Sequence, residues 1–340
     1  MSEVAEVRQD TLPKLGFLGV GWIGKNRLET LVSCKLSDNI AICDTYQPNI
    51  DETLKVVPSA KAYESIDDLL KENIDGVVIA TPSALHAKQA IRALELGKAV
   101  FCQKPLGRNL AETRAVVNQA QKMNKLLGVD YSYRYTKGIQ AIKEVIEDGT
   151  LGKIYAVEAV FHNSYGPDKP WFYDPKLSGG GCLMDLGSHL VDLMLYLFNA
   201  PSTEVRYANI LSEGKTISNH WETVEDYAEA QLCTSSGISM RLACSWRLSV
   251  GKDAEIYLKI YGTKGGASFH NVNGSFYDFQ AEIYSQNYSE VIVTPPDDWG
   301  GRAIQYWAER LAKNSSFSLS NNEFIKSAAL LEDIYNFTRV

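Results

Sequence analysis

The chain has 340 residues, 45% of them apolar and 22% charged, with a formal net charge of −7; this is a globular composition with length for about two domains. No stretch approaches the roughly 20 apolar residues of a membrane span, so no membrane partner is expected, and an acidic balance without a basic stripe argues against sequence-independent nucleic-acid binding. The six cysteines, Cys34, Cys43, Cys102, Cys182, Cys233 and Cys244, include no C-x-x-C pair, so zinc and disulfide frameworks both lack their spacing signal and free thiols in a cytoplasmic protein are expected.

Residues 1–13 have neither a basic start nor an apolar core and read as a mobile tail without a targeting signal. From 14 to 134, "KLGFLGV", "NIAICD", "GVVIAT", "KAVFCQK" and "LLGVDYSYR" are strand-like apolar runs separated by stretches of helical spacing. That alternation predicts an α/β, doubly wound parallel sheet buried on both faces, a dinucleotide-binding Rossmann domain. Where the first strand hands over to a helix, Gly19, Gly21 and Gly24 form G-x-G-x-x-G. Glycines there permit a tight turn and let backbone N–H groups approach a pyrophosphate at the helix N-terminus. Asp44, 20 residues beyond Gly24, closes the second strand, placed to accept hydrogen bonds from the adenosine ribose. An acid at that point repels a 2′-phosphate, so NAD is the expected cofactor; NADP stays open because Lys25 or Arg27 is within sequence reach of such a phosphate.

Thr81 with Pro82, and Lys104 with Pro105, stand at carboxyl ends of strands, where ligands of such sheets bind. Pro105 would fix the turn that aims the Lys104 ammonium into the crevice, although a solvated strand end also accounts for a lysine there.

After residue 135 the pattern changes to a helix, "GIQAIKEVIEDGT", then strands joined by glycine-containing turns, and finally two helical pieces from Ala303 onward. Residues 135–340 therefore read as an α+β domain with an open, mainly antiparallel sheet. Within it, Gly179, Gly180 and Gly181 precede a helix apolar on most sides, and Asp185, His189 and Asp192 recur at i, i+4 and i+7 with Ser188 and Tyr196 beside them. A polar stripe on such a helix needs partners or a ligand. An imidazole oriented by a carboxylate is a natural base for a hydroxyl proton, and the glycines suit close approach to a bulky group. A solvent-facing stripe and a metal site are the competing readings, the latter without a third-ligand pattern.

Together "GVGWIG", "TPSALH", the Lys-Pro strand end and "GGGCLMDLGSHLVD" resemble the glucose–fructose oxidoreductase/inositol dehydrogenase (Gfo/Idh/MocA) family over nearly the whole chain. The resemblance implies a nicotinamide-dependent oxidoreductase acting on a sugar, polyol or nucleotide sugar, with an open sheet used for dimerisation or tetramerisation. By position, Lys104 matches the lysine of the family's E-K-P motif, which bonds the reacting oxygen and touches the cofactor. Asp185 and His189 match the family's Asp and His, His189 being the proton acceptor in oxidation. Thr81, Pro82 and His86 match the cofactor-side segment; Trp22, Ile23 and Asp44 would contact the phosphates and ribose. Tyr133, Arg134 and Trp171 would line the nicotinamide and substrate pocket, with His162, Tyr165, Asp168, Lys169 and Tyr173 as further polar or aromatic candidates.

This chain has Gln103 where the family usually has Glu. Alternation along a strand predicts that Gln103 does not share a pocket wall with Lys104, though its amide can still bond a cofactor ribose, and Asp185 is then the nearest anion expected for the Lys104 ammonium. Two alternatives to a dehydrogenase stay open: a redox-neutral sugar hydrolase or lyase using transient oxidation, and a non-catalytic cofactor-binding sensor.

Overall fold

A computed structural model describes residues 12–37, 39–199 and 202–337; the tail expected over residues 1–13 falls, up to residue 11, outside the described residues. The first half alternates β1 (Leu15–Leu18), α1 (Trp22–Ser33), β2 (Ile40–Cys43), α2 (Gln47–Val56), β3 (Lys61–Ala62), α3 (Ile66–Lys71), β4 (Gly76–Ile79), α4 (Ser83–Glu95), β5 (Ala99–Cys102), α5 (Leu110–Met123) and β6 (Leu127–Val129). All neighbouring strands pair in parallel, in the order β3-β2-β1-β4-β5-β6. The four central strands β1, β2, β4 and β5 are buried at every residue, because helices cover both faces. Reversal of strand order between β1 and β4 opens a crevice at the strands' carboxyl ends.

Two expected strands are shorter than their apolar runs. The run 98–104 stops at Cys102, and the run 126–134 stops at Val129 before a 3-10 turn over Ser132–Tyr135. As an edge strand β6 has only β5 to pair with, and beyond it the Tyr131 N–H turns back to the Val129 carbonyl at 2.8 Å.

The second half begins with α6 (Lys137–Glu147), whose first turn is capped by Thr136 accepting from the Ile139 N–H at 3.2 Å. It continues through β7 (Ile154–Asn163), α7 (Pro175–Ser178), a π-helical turn over Leu183–Gly187, α8 (Ser188–Leu197), β8 (Thr203–Ser212), β9 (Lys215–Thr216), β10 (Tyr227–Thr234), β11 (Ser239–Ser245), β12 (Ala254–Gly262), β13 (Gly266–Asn271), β14 (Phe279–Ser285) and β15 (Tyr288–Val293), and closes with α9 (Arg302–Lys313) and α10 (Asn322–Phe337). The strands form one nine-stranded sheet, β15-β14-β13-β12-β7-β11-β10-β8-β9, antiparallel except for the β7–β11 pair. Burial alternates along β10 and β12. One face carries α6, α8 and α10 through a core that includes Ile142, Leu190, Met194 and Leu331, and the other is open.

A division after residue 134 does not contain the end of the chain. Helix α9 returns to the first sheet, where Trp307 packs on Phe101 with ring centroids 5.7 Å apart and joins the core of β1 and β2. Gly76 and Gly128 make room for that indole: a Cβ on either would lie 2.7 or 2.8 Å from its ring atoms. Among the described residues no helix is long and apolar enough to cross a membrane, and all six cysteines are free thiols.

Candidate functional site

The glycine turn between β1 and α1 is shaped by contacts that admit no side chain. A Cβ on Gly24 would lie 2.1 Å from the Gly19 carbonyl oxygen, and Gly19 itself has φ +84°. Helix α1 starts after Gly21 with no side-chain cap, and its first intrahelical bond runs from the Lys25 N–H to the Gly21 carbonyl. The N–H groups of Trp22, Ile23 and Gly24 are thus left to a ligand at the positive end of the helix. A cleft of about 510 Å³ runs from this turn across the strand ends to the second domain, within the usual size range of small-molecule and cofactor sites.

Gly21, Trp22 and Ile23 line one end of the cleft; Thr81, Pro82 and His86 its flank; Gln103 and Lys104 its floor; Asp168, Lys169 and Trp171 the wall opposite. Gln103 and Lys104 therefore do share a wall, against the expectation from strand alternation, because β5 has already ended at Cys102. His86 is 1% exposed. Its Nδ1 lies 2.7 Å from the Pro105 carbonyl and its Nε2 2.6 Å from that of Thr81, so the ring sits between the two strand-end turns and in its neutral form donates to one of these carbonyls. Burial pushes its pKa down, against the pull of both carbonyls.

Lys104 meets Asp185 as expected, with Nζ 2.6 Å from Oδ1 and 2.7 Å from the Asp185 carbonyl. The other carboxylate oxygen is taken by Trp246, the residue that follows β11, whose indole N–H donates to Oδ2 at 3.1 Å. Both oxygens are engaged in this way, and among the described residues Asp185 makes no hydrogen bond to His189. His189 sits one turn further along, its ring edge-on to Tyr133 at 4.9 Å and Tyr131 at 6.3 Å. Its Nδ1 is buried without a hydrogen-bond partner among the described residues. Burial first, and then the Lys104 charge, push its pKa well down, which leaves a neutral imidazole at neutral pH.

The three glycines 179–181 do serve close approach, but to the protein itself. A Cβ on Gly181 would lie 1.9 Å from the Glu225 carbonyl oxygen. The fully buried Glu225 carboxylate then accepts the N–H groups of Gly181 and Leu183 at 2.9 Å and the Tyr335 hydroxyl at 2.8 Å, clamping the start of the turn that carries Asp185.

The Asp44 carboxylate accepts from Val20 N at 2.8 Å, Tyr46 N at 2.9 Å and Asn49 Nδ2 at 3.1 Å, and so braces the glycine turn. Several other expected residues lie elsewhere. Arg27 is unavailable to a 2′-phosphate, because it is buried against Asp130 at 2.6 Å, and Lys25 lies 3.8 Å from Glu52. Arg134 grips Asp192 with both forks, at 2.7 and 2.5 Å, and Glu323 at 3.2 Å, behind the cleft in a separate cavity. The end of the polar stripe is thus a buried ion pair. His162 points to the open face of the second sheet, 2.9 Å from Ser245 Oγ and stacked on Tyr227, because Phe161 beside it takes the inward position. Tyr165 is exposed, and Tyr173 spends its hydroxyl on the Pro167 carbonyl at 2.9 Å. No group of three or more His, Cys, Asp or Glu among the described residues could hold a metal ion. Sequence reasoning missed Trp246, Glu225 and Asp130, which reach the site only through distant pairings.

Comparison with known proteins places these features in context. A family model described as an oxidoreductase family with an NAD-binding Rossmann fold matches residues 14–131, and the GFO/IDH/MocA C-terminal domain matches residues 139–268. Glucose-6-phosphate 3-dehydrogenase of Bacillus subtilis (strain 168) is 26% identical over 306 residues, 88% of this chain and 87% of that one. Myo-inositol 2-dehydrogenase of Thermotoga maritima is 24% identical, over 86% and 81% of the two chains. Levoglucosan dehydrogenase, solved with NADH and levoglucosan, superposes with a TM-score of 0.82 at 21% identity, covering 96% of this chain and 97% of that one.

Proposed function

Because the chain belongs to the Gfo/Idh/MocA family of oxidoreductases, we propose that it interconverts a ring hydroxyl and a ketone on a sugar or polyol, with a nicotinamide dinucleotide lying along the cleft. One observation carries this reading: the Lys104 ammonium, held 2.6 Å from Asp185, faces the same cleft as the uncapped N-terminus of α1. The names of the relatives, sugar and inositol dehydrogenases, agree with it.

The residues present fit a dinucleotide. The Gly19–Gly24 turn offers unclaimed N–H groups for a pyrophosphate, and Trp22, Thr81 and Pro82 offer walls for the rest. When bound, that cofactor supplies the hydride acceptor or donor. The protein supplies the polar groups around the reacting oxygen. Lys104 has two of its three donors fixed by Asp185, which leaves the third for the substrate oxygen, where it stabilises a developing alkoxide; such preorganised donors usually make the largest catalytic contribution. His189, neutral and with Nδ1 buried, takes the hydroxyl proton at Nε2 in oxidation and returns it in reduction. Trp171 gives a hydroxylated ring an aromatic surface, itself backed by Phe172 at 3.8 Å.

Association of two or four copies through the open face of the nine-stranded sheet belongs to the same proposal. That face carries Tyr227, Tyr257 and the Glu158–Arg241 pair.

The test is nicotinamide absorbance with NAD, and separately NADP, over inositols, free sugars, anhydro sugars and sugar nucleotides, with wild type and His189→Ala side by side. Cofactor reduction by wild type alone establishes the reaction and its substrate class. Equal turnover by both proteins removes His189 from the mechanism.

A further inference from the structure

Gln103 lines the cleft, and the orientation of its side-chain amide is decided from behind. Its Nε2 donates to Oδ2 of Asp130, the residue that follows β6. The same Oδ2 takes Nε of Arg27, on α1, at 2.6 Å. Asp130 is 2% exposed and Arg27 5%, so a buried ion pair is joined through the half-buried Gln103 to the cleft. A carboxylate can only accept, so the amide must present its NH2 to Asp130; the flipped amide would set two acceptors against each other. Oε1 is therefore the end of the amide left over, and it has no hydrogen-bond partner among the described residues.

We propose that Asp130 is a positioning residue that fixes Gln103 as a hydrogen-bond acceptor for a hydroxyl or amide donor of the bound dinucleotide, with Arg27 anchoring Asp130 in place. The proposal rests on the reading of the cleft as the dinucleotide site. It gives a role to a residue that never touches the ligand, and it explains why a glutamine is at home at position 103: a carboxylate there would face Asp130 directly. The other charged or titratable groups around the pair are Arg27 on α1, Cys102 at the end of β5, whose thiol is pushed well up by burial and by Asp130, and Lys104, which is turned to Asp185.

The test is cofactor affinity, read by quenching of protein fluorescence with NAD and with NADP from mildly acidic to mildly alkaline buffer, in wild type, Gln103→Glu and Gln103→Glu/Asp130→Asn. In Gln103→Glu two carboxyls meet and must share a proton. At acid pH the protonated carboxyl introduced at position 103 donates to Asp130 as the amide did, and above the shared proton's pKa the contact breaks. The ratio of the variant's dissociation constant to that of wild type should then rise with pH, by up to about tenfold per unit. The double variant keeps the charge of the wild-type network with donor and acceptor exchanged, so its ratio should be level across pH. A level ratio for Gln103→Glu, or a slope that persists in the double variant, overturns the proposal; wild type that binds neither dinucleotide overturns the cofactor reading beneath it.

Discussion

The indole N–H of Trp246 donates to Oδ2 of Asp185 at 3.1 Å while Lys104 holds Oδ1 at 2.6 Å, so a single carboxylate is braced by one group from the end of β5 and one from the end of β11. Trp246→Phe keeps a ring against Phe172 and Tyr173 and removes the donor. Loss of one hydrogen bond to a charged acceptor is worth about 1.5–3 kcal/mol, and kcat should fall roughly tenfold or more with dinucleotide affinity unchanged. Steady-state kinetics beside a binding titration separate the two.

Lys104→Ala should lower kcat by about two to three orders of magnitude, the size seen when a preorganised donor to a developing oxyanion is removed. The fold should survive, since the ammonium is a cleft group and no part of either core. Turnover near the wild-type level would remove Lys104 from the mechanism.

The pH dependence follows from His189. Its pKa lies well below 6.5 in the folded chain because of burial and the Lys104 charge, whereas the unfolded chain titrates near 6.5. Between those values only the unfolded state binds the proton, so stability at this site is intact above about pH 6.5 and falls as pH drops toward the folded pKa, by up to about 1.4 kcal/mol per unit. The rate of substrate oxidation, which needs the neutral ring, should stay level through pH 6.5 and fall only at more acid pH. Thermal melts and initial rates over one buffer series check both; an acid limb centred on an ordinary imidazole would contradict the second.

Two alanines in the glycine turn should separate folding from binding. Around Gly21 a Cβ meets nothing nearer than Asn49 Nδ2 at 3.6 Å, and φ is −63°. Gly21→Ala should leave the melting temperature near wild type but project a methyl into the cleft and weaken dinucleotide binding. Gly24→Ala drives a Cβ onto the Gly19 carbonyl at 2.1 Å and should cost about 1–3 kcal/mol or more in stability, with loss of binding following from the deformed turn.

Asp192→Ala leaves the Arg134 guanidinium buried with Glu323, at 3.2 Å, as its one acidic partner among the described residues. Breaking a buried pair in this way costs about 3–5 kcal/mol, readable as a lowered denaturant midpoint, although neither residue lines the cleft.

The Rossmann half was legible because its signals are local: apolar runs buried on both faces, and a glycine spacing whose meaning is fixed by the strand before it and the helix after it. The contact between Lys104 and Asp185 was legible for the same reason, each residue lying within a short motif. What escaped was decided by facing and by distance. His162 and Phe161 are neighbours, and only the packed face of the sheet tells which of them looks inward. Arg134 follows a strand that ends early, and the 3-10 turn after it rotates the side chain away from the cleft. Trp246, Glu225 and Asp130 meet their partners 61, 44 and 27 residues away in the chain, and no spacing rule connects such positions.

The seat of Trp307 between Gly76 and Gly128 sets an order of events at the ribosome. The strands it covers leave the exit tunnel early, while the indole that closes their core emerges only after the whole second sheet has been made, on the order of ten seconds later at ordinary elongation rates. During that wait the flank of β4, β5 and β6, with Phe101 on it, stays uncovered. Nascent chains stalled before residue 302 should accordingly present an apolar surface that draws chaperones or aggregates, and release of the last forty residues should mark the moment at which the nucleotide-binding half becomes a finished body.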